Sequence, residues 1–385
     1  MKVAIVHYWL VGMRGGEKVI EEICRIFPDA DIFTHVADPS NLSDTITHHK
    51  ITESFISRLP GARRHYQKYL PLMPRALEGF DLTGYDLVIS SEAGPAKGVI
   101  TDPDALHLCY VHSPMRYIWD QYWVYKSQAG RAARLMMPLF AHRLRVWDMA
   151  SAARVDAFVA NSEFIARRVA KTWRREAAVL HPPVDLSAFR PANAPAPAPA
   201  PRDAPYLYAG ELVGYKRPDL VVEACTRLNR PLIVIGEGAA KQQLAAIAGP
   251  NVTFLGRVDF DRLRTVYRDC RALVFPGIED FGIIPLEVMA SGRPVLAYGR
   301  GGALETVVEG KTGAFFTEQT PEAVMAAITA FEDRAEPYAP SDCIAQAEKF
   351  GAARFRNGLI ALLRDHAPAR LLPALDALAD QGTDP

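Results

Sequence analysis

Short apolar runs alternate with helix-like segments throughout both halves of this chain. The first half contains "KVAIVH", "DLVIS", "LHLCYVH" and "VDAFVAN", and the second contains "YLYAG", "PLIVIG", "ALVFP" and "PVLAY". Residues 217–229, between two such runs, place their apolar side chains on one helical face. Strands that are apolar on both faces need helices on both sides, which is typical of parallel sheets. The sequence therefore predicts an α/β fold with two doubly wound, Rossmann-like domains.

The length of 385 residues is too great for one ordinary domain. The segment "PANAPAPAPAPRDAP", 191–205, favours an extended conformation and cannot build a core, so it marks a boundary. We predict a first domain over 1–185, a Pro/Ala-rich linker over 186–204, a second domain over 205–340, and a C-terminal helix with a tail over 341–385. Ligands bind such sheets at the carboxyl ends of the strands, so we expect a site in the cleft between two facing domains.

Charge and cysteine content exclude several classes of protein. The balance of 44 Lys and Arg against 44 Asp and Glu argues against a nucleic-acid binder. Five scattered cysteines without CxxC spacing argue against disulfides and a zinc site, which fits a reducing cytoplasm. The apolar N-terminal run is shorter than a signal peptide requires, and no stretch approaches about 18 apolar residues. We therefore expect a cytoplasmic protein without a membrane-spanning helix.

The stretch "EDFGIIPLEVMASG", 279–292, follows a buried strand, and its helix is predicted over 283–290. Glu279 then lies on the strand-to-helix loop, and Gly282 leaves backbone amides open at a helix N-terminus, where anions bind. Glu287, about one turn further on, can accept two hydrogen bonds from the paired hydroxyls of a ribose. Together these groups predict a nucleotide-sugar site. The alternative is an ordinary strand–loop–helix corner with two solvated acids.

Other loops add groups suited to a phosphate. In "YAGELVGYKRPDLVVEA", 208–224, Lys216 and Arg217 stand at a strand-to-helix transition, where two cations would stabilise the developing charge of a departing diphosphate. In "RGGEKV", 14–19, Gly15 and Gly16 let a ligand approach the backbone closely before a helix begins. The alternatives are a solvated basic pair and a plain turn. Gly236, in "IGEG" at a strand end, is a weaker candidate, because a turn explains it nearly as well.

A buried strand in "LCYVHSPMRYIWD", 108–120, delivers His112 to its carboxyl end. A lone histidine is usually structural, but one at the tip of a strand in an α/β domain lies where ligands bind. The same loop contains Arg116 and Asp120, which we place on the acceptor side of the site.

The segment "EDFGIIPLEVMASGRPVLAYGRGGALETV" resembles glycosyltransferase family 4, retaining enzymes of the GT-B fold, and its two glutamates match the family's E-x7-E motif. The two-domain layout agrees, so the resemblance covers essentially the whole chain. It implies that Glu279 contacts hydroxyls of the donor sugar and that Glu287 holds the ribose. It also implies that His112 faces the sugar and that the loop of Gly15 and Gly16 lies against the diphosphate. The backbone amides of Phe281, Gly282 and Ile283 would contact the sugar and the diphosphate, and the loop at Val258 would contact the base.

One position departs from the family pattern. The family commonly has an arginine just after the glycine that matches Gly210, and this chain has Glu211 there. Lys216, helped by Arg217, is therefore left as the main cationic clamp. The helical stretch at 341–365 resembles the family's final helix, which packs back on the first domain.

The resemblance implies a retaining, metal-independent hexosyltransferase. The family is assigned a front-face route, in which the leaving phosphate takes the proton of the acceptor hydroxyl. No DxD-like motif stands near these elements, so we expect no metal and no cofactor. The quoted segments look most like bacterial mannosyltransferases that use GDP-mannose to build surface polysaccharide on a saccharide or polyprenol-linked acceptor. A UDP-hexose donor, a catalytically silent GT-B binding subunit and a nucleotide-sugar epimerase of the same fold stay open as alternatives.

Two basic stretches of the first domain suit an anionic membrane surface. Residues 54–75 combine five cations with interleaved aromatic and Met side chains and no acid, and residues 131–147 repeat the mixture with four arginines. We therefore expect peripheral attachment to the inner face of the cell membrane. The alternative is that both stretches are ordinary helices whose apolar faces pack on the domain.

Overall fold

The computed structural model describes residues 1–190 and 197–380, and it divides into two compact units. The first comprises Met1–Pro183 and Ala352–Pro385, with 381–385 outside the described residues, and the second comprises Val184–Gly351. Each unit is built on a parallel sheet connected by helices. The prediction of an α/β fold with two doubly wound, Rossmann-like domains is therefore confirmed.

Among the described residues, the first unit is built on a seven-stranded parallel sheet. Its strands are β1 (Val3–His7), β2 (Asp31–Thr34), β3 (Ile51–Glu53), β4 (Leu87–Glu92), β5 (Leu106–Val111), β6 (Ala157–Ala160) and β7 (Ala178–Val179). Their order across the sheet is β3-β2-β1-β4-β5-β6-β7. The winding direction reverses between β1 and β4, and ligands bind such sheets beside that reversal, at the carboxyl ends of the strands.

The strands of this sheet are buried on both faces. In β1, Val3 and Ile5 join one core cluster, while Ala4 and Val6 join another. Such burial explains why the strands read as continuous apolar runs rather than as alternating ones. The helices that connect them are α1 (Gly15–Ile26), α2 (Asp44–Thr47), α3 (Ala62–His65), α4 (Met73–Glu78), α5 (Tyr122–Gln128), α6 (Arg131–Ala152) and α7 (Glu163–Trp173).

The second unit contains, within its described residues, a six-stranded parallel sheet of order β10-β9-β8-β11-β12-β13. The strands are β8 (Tyr206–Ala209), β9 (Leu232–Ile235), β10 (Val252–Gly256), β11 (Leu273–Phe275), β12 (Val295–Tyr298) and β13 (Gly313–Phe316). The reversal falls between β8 and β11, so the loops that follow these two strands meet at one edge. The helices are α8 (Pro218–Leu228), α9 (Lys241–Ile247), α10 (Phe260–Asp269), α11 (Ile283–Ala290), α12 (Ala303–Thr306), α13 (Pro321–Glu332) and α14 (Pro340–Glu348).

The helical stretch expected at 341–365 is two helices. α14 belongs to the second unit and packs against α11, whereas α15 (Ala352–His366) belongs to the first unit. Phe355 and Leu359 of α15 join the core cluster of β1, and α16 (Leu372–Asp380) follows. Part of the predicted linker, 191–196, lies outside the described residues, while 197–204 belongs to the second unit. The boundaries chosen from the sequence stay a prediction.

Candidate functional site

The loop between β11 and α11 holds Glu279, Phe281 and Gly282 at the carboxyl end of the second sheet. Gly282 directly precedes α11 and has φ of 90°, a left-handed conformation that glycine adopts without strain. The amide of Gly302 donates to the carbonyl oxygen of Glu279 at 2.9 Å. A Cβ on Gly302 would lie 2.2 Å from Cα of Phe281, so only glycine permits this contact. The loop is therefore fixed by a glycine that follows the next strand.

The N-terminus of α11 begins at Ile283, immediately after this loop. The first N–H groups of a helix have no acceptor within it, and the helix dipole adds partial positive charge there. Pro285 lies in the first turn, where a missing N–H is tolerated. This end of α11 is suited to receive phosphate oxygens or a sugar hydroxyl.

Lys216 lies on the loop after β8 and contacts the loop after β11. Its Nζ is 2.8 Å from Oε1 of Glu279, and the two side chains are 20 % and 19 % exposed. Burial lowers the pKa of Lys216, but the Glu279 carboxylate, together with Tyr215 and Glu211, raises it by more, so that the pKa lies above its usual value. A Cβ on Gly277 would lie 3.2 Å from Cα of Lys216, so Gly277 lets the two loops approach closely. The structure thus joins two predicted site residues that are distant in sequence.

Arg217, the second predicted cation, has a different partner. Its guanidinium donates to both carboxylate oxygens of Asp219, at 2.8 Å for the shortest contact, and to the carbonyl oxygen of Gln319 at 3.4 Å. Its backbone φ of 54° places it in the left-handed region directly before α8. Arg217 therefore stabilises the start of α8 through Asp219, whereas Lys216 is the cation in contact with Glu279.

Glu287 lies on α11 and is partly exposed. The hydroxyl of Tyr267, on α10, donates to Oε2 of Glu287 at 3.4 Å. Burial raises the pKa of Tyr267, and the Glu287 carboxylate raises it further, so the hydroxyl stays protonated. Val258, in the loop between β10 and α10, is partly buried and packs against the core cluster that contains Tyr267. Tyr267 was not anticipated from the sequence.

Gly236 follows β9 and approaches the end of β8. Its φ is 131°, and a Cβ there would lie 1.8 Å from the carbonyl oxygen of Gly210. This close approach of two backbone segments explains why both positions are glycine without requiring a ligand. Glu211, which stands where the related family commonly has arginine, is exposed.

In the first unit, the start of α1 lies beside His112. A Cβ on Gly16 would lie 2.7 Å from the Tyr8 hydroxyl and 3.7 Å from Nε2 of His112. Gly15 is the first residue of α1. The structure therefore brings Gly16 and His112 together, at the reversal between β1 and β4.

His112 follows β5, and its Nε2 lies 2.8 Å from Oγ of Ser91, at the end of β4. Its backbone amide donates to the carbonyl oxygen of Glu92 at 2.8 Å, which sets the direction of the loop. Burial lowers the pKa of His112 to about 4, so the imidazole is neutral near pH 7. Ser91 thereby orients a neutral ring. Ser91 directly follows the run "DLVIS", and a polar residue at the carboxyl end of a buried strand is the sequence signal that would have found it.

The predicted acceptor-side residues belong to one polar network. Nε of Arg116 donates to Oγ of Ser113 at 3.3 Å, and Arg168 donates to the same oxygen at 2.9 Å. Arg168 also pairs with Asp120 at 2.6 Å. Arg168 lies on α7, and nothing in the run "EFIARRVAK" distinguishes it from an ordinary surface arginine. Ser113 and Arg168 thus connect Arg116 with Asp120.

A buried ion cluster lies beneath this loop. Lys97 contacts Glu92 at 3.3 Å and also pairs with Asp148, and all three side chains are fully buried. Nε1 of Trp119 donates to Asp148 at 2.8 Å, and Nε1 of Trp173 donates to it at 2.7 Å. Removing one partner of such a cluster leaves a buried charge uncompensated, which is strongly destabilising. The cluster fixes Trp119, and with it the loop from His112 to Asp120, against α6 and α7.

The two basic stretches present different surfaces. Residues 54–75 form short helical turns whose five cations are exposed, together with Phe55 and Leu72. In the second stretch the N-terminal part of α6 exposes apolar side chains, with Leu135 80 % exposed, and Trp123 on the neighbouring α5 is 72 % exposed. Arg134 of α6 donates to carbonyl oxygens at the end of α5, which joins the two helices.

Two kinds of feature are absent from residues 1–190 and 197–380. No group of three His, Cys, Asp or Glu in that part of the chain is arranged to hold a metal ion. No helix there combines the length and the apolar character needed to cross a membrane.

Comparison with family models matches the two units in turn. The model "Glycosyltransferase Family 4" matches residues 13–188, and the model "Glycosyl transferases group 1" matches residues 190–350. D-inositol 3-phosphate glycosyltransferase of Streptomyces avermitilis is 33 % identical over 216 residues, which is 49 % of this chain and 47 % of that protein. The enzyme of the same name from Streptomyces scabiei is 32 % identical over 250 residues, 56 % of each chain. The matched region thus spans about half the length of these curated relatives.

Solved structures show similarity over nearly the whole chain. The lipopolysaccharide outer core galactosyltransferase WaaB, in its apo form, has a TM-score of 0.64 at 17 % identity, over 94 % of this chain and 100 % of its own. Anabaena HepE in complex with UDP-glucose has a TM-score of 0.67 at 15 % identity, over 95 % and 100 %. At these identities the similarity establishes the fold alone.

Proposed function

We propose that the protein is a retaining glycosyltransferase that moves a hexose from a nucleoside-diphosphate sugar to an acceptor hydroxyl, because residues 13–188 match the Glycosyltransferase Family 4 model and residues 190–350 match the Glycosyl transferases group 1 model. The observation that carries this proposal is the contact of Lys216 with Glu279 beside the N-terminus of α11. A cation, an acid and open helix amides are the three groups needed for a diphosphate and a sugar.

Donor binding in this proposal uses the second unit. Glu279 accepts hydrogen bonds from the sugar, and the amides of Phe281, Gly282 and Ile283 contact the sugar and the diphosphate. Glu287 binds the ribose. The loops at Val258 and Gly236 lie against the base and the nucleotide, and Arg217 holds the start of α8 next to Lys216.

The chemical step breaks the bond between the anomeric carbon and the diphosphate oxygen and forms a bond to the acceptor oxygen on the same face. The leaving phosphate takes the proton of the acceptor hydroxyl, so no protein base is required. Lys216 stabilises the charge that develops on the diphosphate, which is worth most in a site that excludes water. No divalent ion is used in this route.

The first unit contributes His112 and the Gly15–Gly16 turn. A neutral imidazole, held by Ser91 at 2.8 Å, can exchange a hydrogen bond with a hydroxyl of the donor sugar without adding charge. The Gly15–Gly16 turn approaches the diphosphate through its backbone. Arg116 and Asp120 act on the acceptor side through the network with Arg168.

The proposed donor is GDP-mannose. This proposal rests on the resemblance of residues 279–302 to mannosyltransferases. A UDP-hexose is the second candidate, since HepE was solved with UDP-glucose. Titrating the protein with both nucleotide sugars and following thermal unfolding separates the two, because only a ligand that binds the folded state raises the midpoint. A catalytically silent binding subunit would be stabilised in the same way but would release no nucleotide.

The proposed acceptor is a lipid-linked or oligosaccharide acceptor of surface polysaccharide synthesis, reached at the inner face of the cell membrane. The cations of 54–75 and the apolar side chains of α5 and α6 are suited to an anionic bilayer, where each cation contributes about 1 kcal/mol. The name of the curated relatives supports an inositol phosphate as a second candidate acceptor. Incubating the protein and donor with a lipid extract that contains no mannose, or with inositol 3-phosphate, and identifying the product distinguishes these two acceptors.

A further inference from the structure

A separate cavity of about 150 Å³ lies in the second unit. Its lining includes Arg271, which precedes β11, and Arg293, which precedes β12. Glu279 follows β11 instead. Because the strands are parallel, residues before them and residues after them lie at opposite edges of the sheet. The cavity is therefore distinct from the proposed donor site.

The lining of this cavity is strongly basic. Its single acid, Glu332, already accepts hydrogen bonds from Arg230 at 2.8 Å and from Arg271 at 3.0 Å. Burial alone would raise the pKa of Glu332, but Arg230, Tyr206 and Arg271 hold it below its usual value. Glu332 is therefore ionised, and its carboxylate is already paired with Arg230 and Arg271. The arginines of the lining are Arg202, Arg271, Arg293 and Arg334.

Arg293 is the most constrained of these cations, because only 6 % of it is exposed. It donates to the carbonyl oxygen of Arg268 at 2.6 Å and to that of Ala198 at 2.7 Å. Within residues 1–190 and 197–380, no carboxylate lies within ion-pair distance of Arg293. Burial accordingly lowers its pKa. A buried cation without a counter-charge is costly, and an anion in the cavity would relieve that cost.

Two aromatic side chains, Phe331 and Tyr338, also line the cavity. The rings of Phe331 and Tyr338 are stacked, with centroids 5.7 Å apart and planes at 12°. The guanidinium of Arg334 lies 4.1 Å from the centroid of the Tyr338 ring, and it donates to the carbonyl oxygens of Glu336 at 3.2 Å and Gly310 at 3.4 Å, which fix its position in the lining. Like Arg293, Arg334 has no carboxylate partner among the described residues. The cavity thus combines two positioned guanidinium groups with a flat apolar surface.

We propose that this cavity binds a small phosphate-bearing molecule with a flat apolar body, as a second ligand site of the protein. The planar guanidinium groups match phosphate oxygens in a bidentate manner, and Arg is preferred over Lys for such recognition. The stacked aromatic pair contacts the body of the ligand. The site takes its ligand without any part of the donor-binding loops.

Phenyl phosphate is the probe that tests the proposal, with phenol as its neutral counterpart. The full chain carrying Lys216→Ala is titrated by calorimetry, because that change weakens the phosphate grip of the donor site. We expect saturable binding of one phenyl phosphate and no measurable binding of phenol. Removing two arginines, in Arg202→Ala with Arg334→Ala, should weaken binding by about tenfold or more, because hydrogen bonds to charged groups are lost.

The matched control is Arg262→Ala, an arginine on α10 of the same unit that does not line the cavity. Its affinity for phenyl phosphate should equal that of the parent. Arg202 is exposed and Arg334 is partly exposed, so the double variant is expected to fold, and thermal unfolding checks this. Absence of saturable binding, or equal affinity in the double variant and the parent, would overturn the proposal.

Discussion

Nζ of Lys216 lies 2.8 Å from Oε1 of Glu279, although the two residues come from loops that follow different strands. The contact arises because β8 and β11 are neighbours at the reversal of the sheet. An incoming diphosphate and its sugar would share this ion pair, with the cation turned to the phosphate and the acid to the sugar hydroxyls. The pair therefore holds both groups in position before the donor arrives.

Replacing Lys216 tests the charge clamp. Lys216→Ala should lower kcat by roughly 10²- to 10³-fold, because a group that stabilises developing charge acts mainly in the transition state. Steady-state kinetics measures the change, with whichever of GDP-mannose and UDP-glucose the wild type uses as donor. The matched control is Lys241→Ala, which breaks an exposed pair with Glu237 of the same 2.8 Å length in the same unit. Near-normal turnover in Lys216→Ala would remove the lysine from the mechanism.

Replacing Glu287 should affect donor binding rather than chemistry. Glu287→Ala removes the proposed acceptor for two ribose hydroxyls, and a contact made equally before and during the reaction changes KM. We expect KM for the donor to rise by about tenfold or more, with kcat nearly unchanged. Tyr267→Phe, which removes the hydroxyl that donates to Glu287, should give a smaller change in the same direction. A fall in kcat alone would assign Glu287 a different role.

Gly302→Ala should displace the loop that holds Glu279. The added Cβ would lie 2.2 Å from Cα of Phe281, so the backbone of one segment must move. We expect a loss of roughly 1–3 kcal/mol in the free energy of unfolding, together with weaker donor binding. Chemical denaturation and donor titration measure the two effects. Gly12→Ala is the control, since a Cβ there meets nothing within 4 Å, and it should leave both quantities unchanged.

Stability should fall as the pH is lowered from about 6.5 towards 4, because buried neutral histidines must then take up protons. Burial lowers the pKa of His35 to about 4, even though a hydrogen bond to the carbonyl of Pro95 opposes the shift. His112 behaves in the same way. The unfolded chain binds more protons than the folded chain in this range, so the contribution is complete above about pH 6.5 and is lost near pH 4.

Denaturation of the wild type and of His35→Gln between pH 7.5 and 4.5 measures this slope. The variant should be less stable at pH 7.5, because His35 contacts Ser54 and Pro95, but its stability should depend less on pH. Equal slopes in the two proteins would show that His35 does not titrate as a buried neutral group.

Binding to anionic vesicles tests the membrane surface. The wild type should sediment with such vesicles at low salt and be released at high salt, because exposed charges are screened. Replacing Arg63, Arg64 and Lys68 with Glu should abolish sedimentation and leave donor binding intact. Replacing Arg227, an exposed arginine of the second unit, with Glu is the control. A wild type that never sediments would favour an acceptor in solution, such as an inositol phosphate.

The sequence predicted those features that depend on local pattern. Continuous apolar runs correctly predicted two parallel sheets, and the helix expected at 283–290 is found at Ile283–Ala290. The single helix expected at 341–365 is interrupted because Lys349–Gly351 turn the chain from one unit to the other, and a helical pattern on both sides conceals that turn.

Contacts between distant segments could not be predicted from the sequence. Gly302 supports Glu279 because β11 and β12 pair in register, and that register is absent from any local pattern. Lys97 and Asp148 are separated by 51 residues, and each would pass for a surface charge until the fold buries both. The roles of the candidate site residues stay a prediction.

The most direct test follows the anomeric proton of the released sugar by NMR while the protein acts on GDP-mannose without acceptor. We expect slow release of GDP with the α-anomer of mannose appearing first, and we expect Lys216→Ala to abolish that release while Lys241→Ala preserves it. If neither GDP-mannose nor UDP-glucose is cleaved, or if the inverted anomer appears first, a retaining glycosyltransferase built on Lys216 and Glu279 is contradicted.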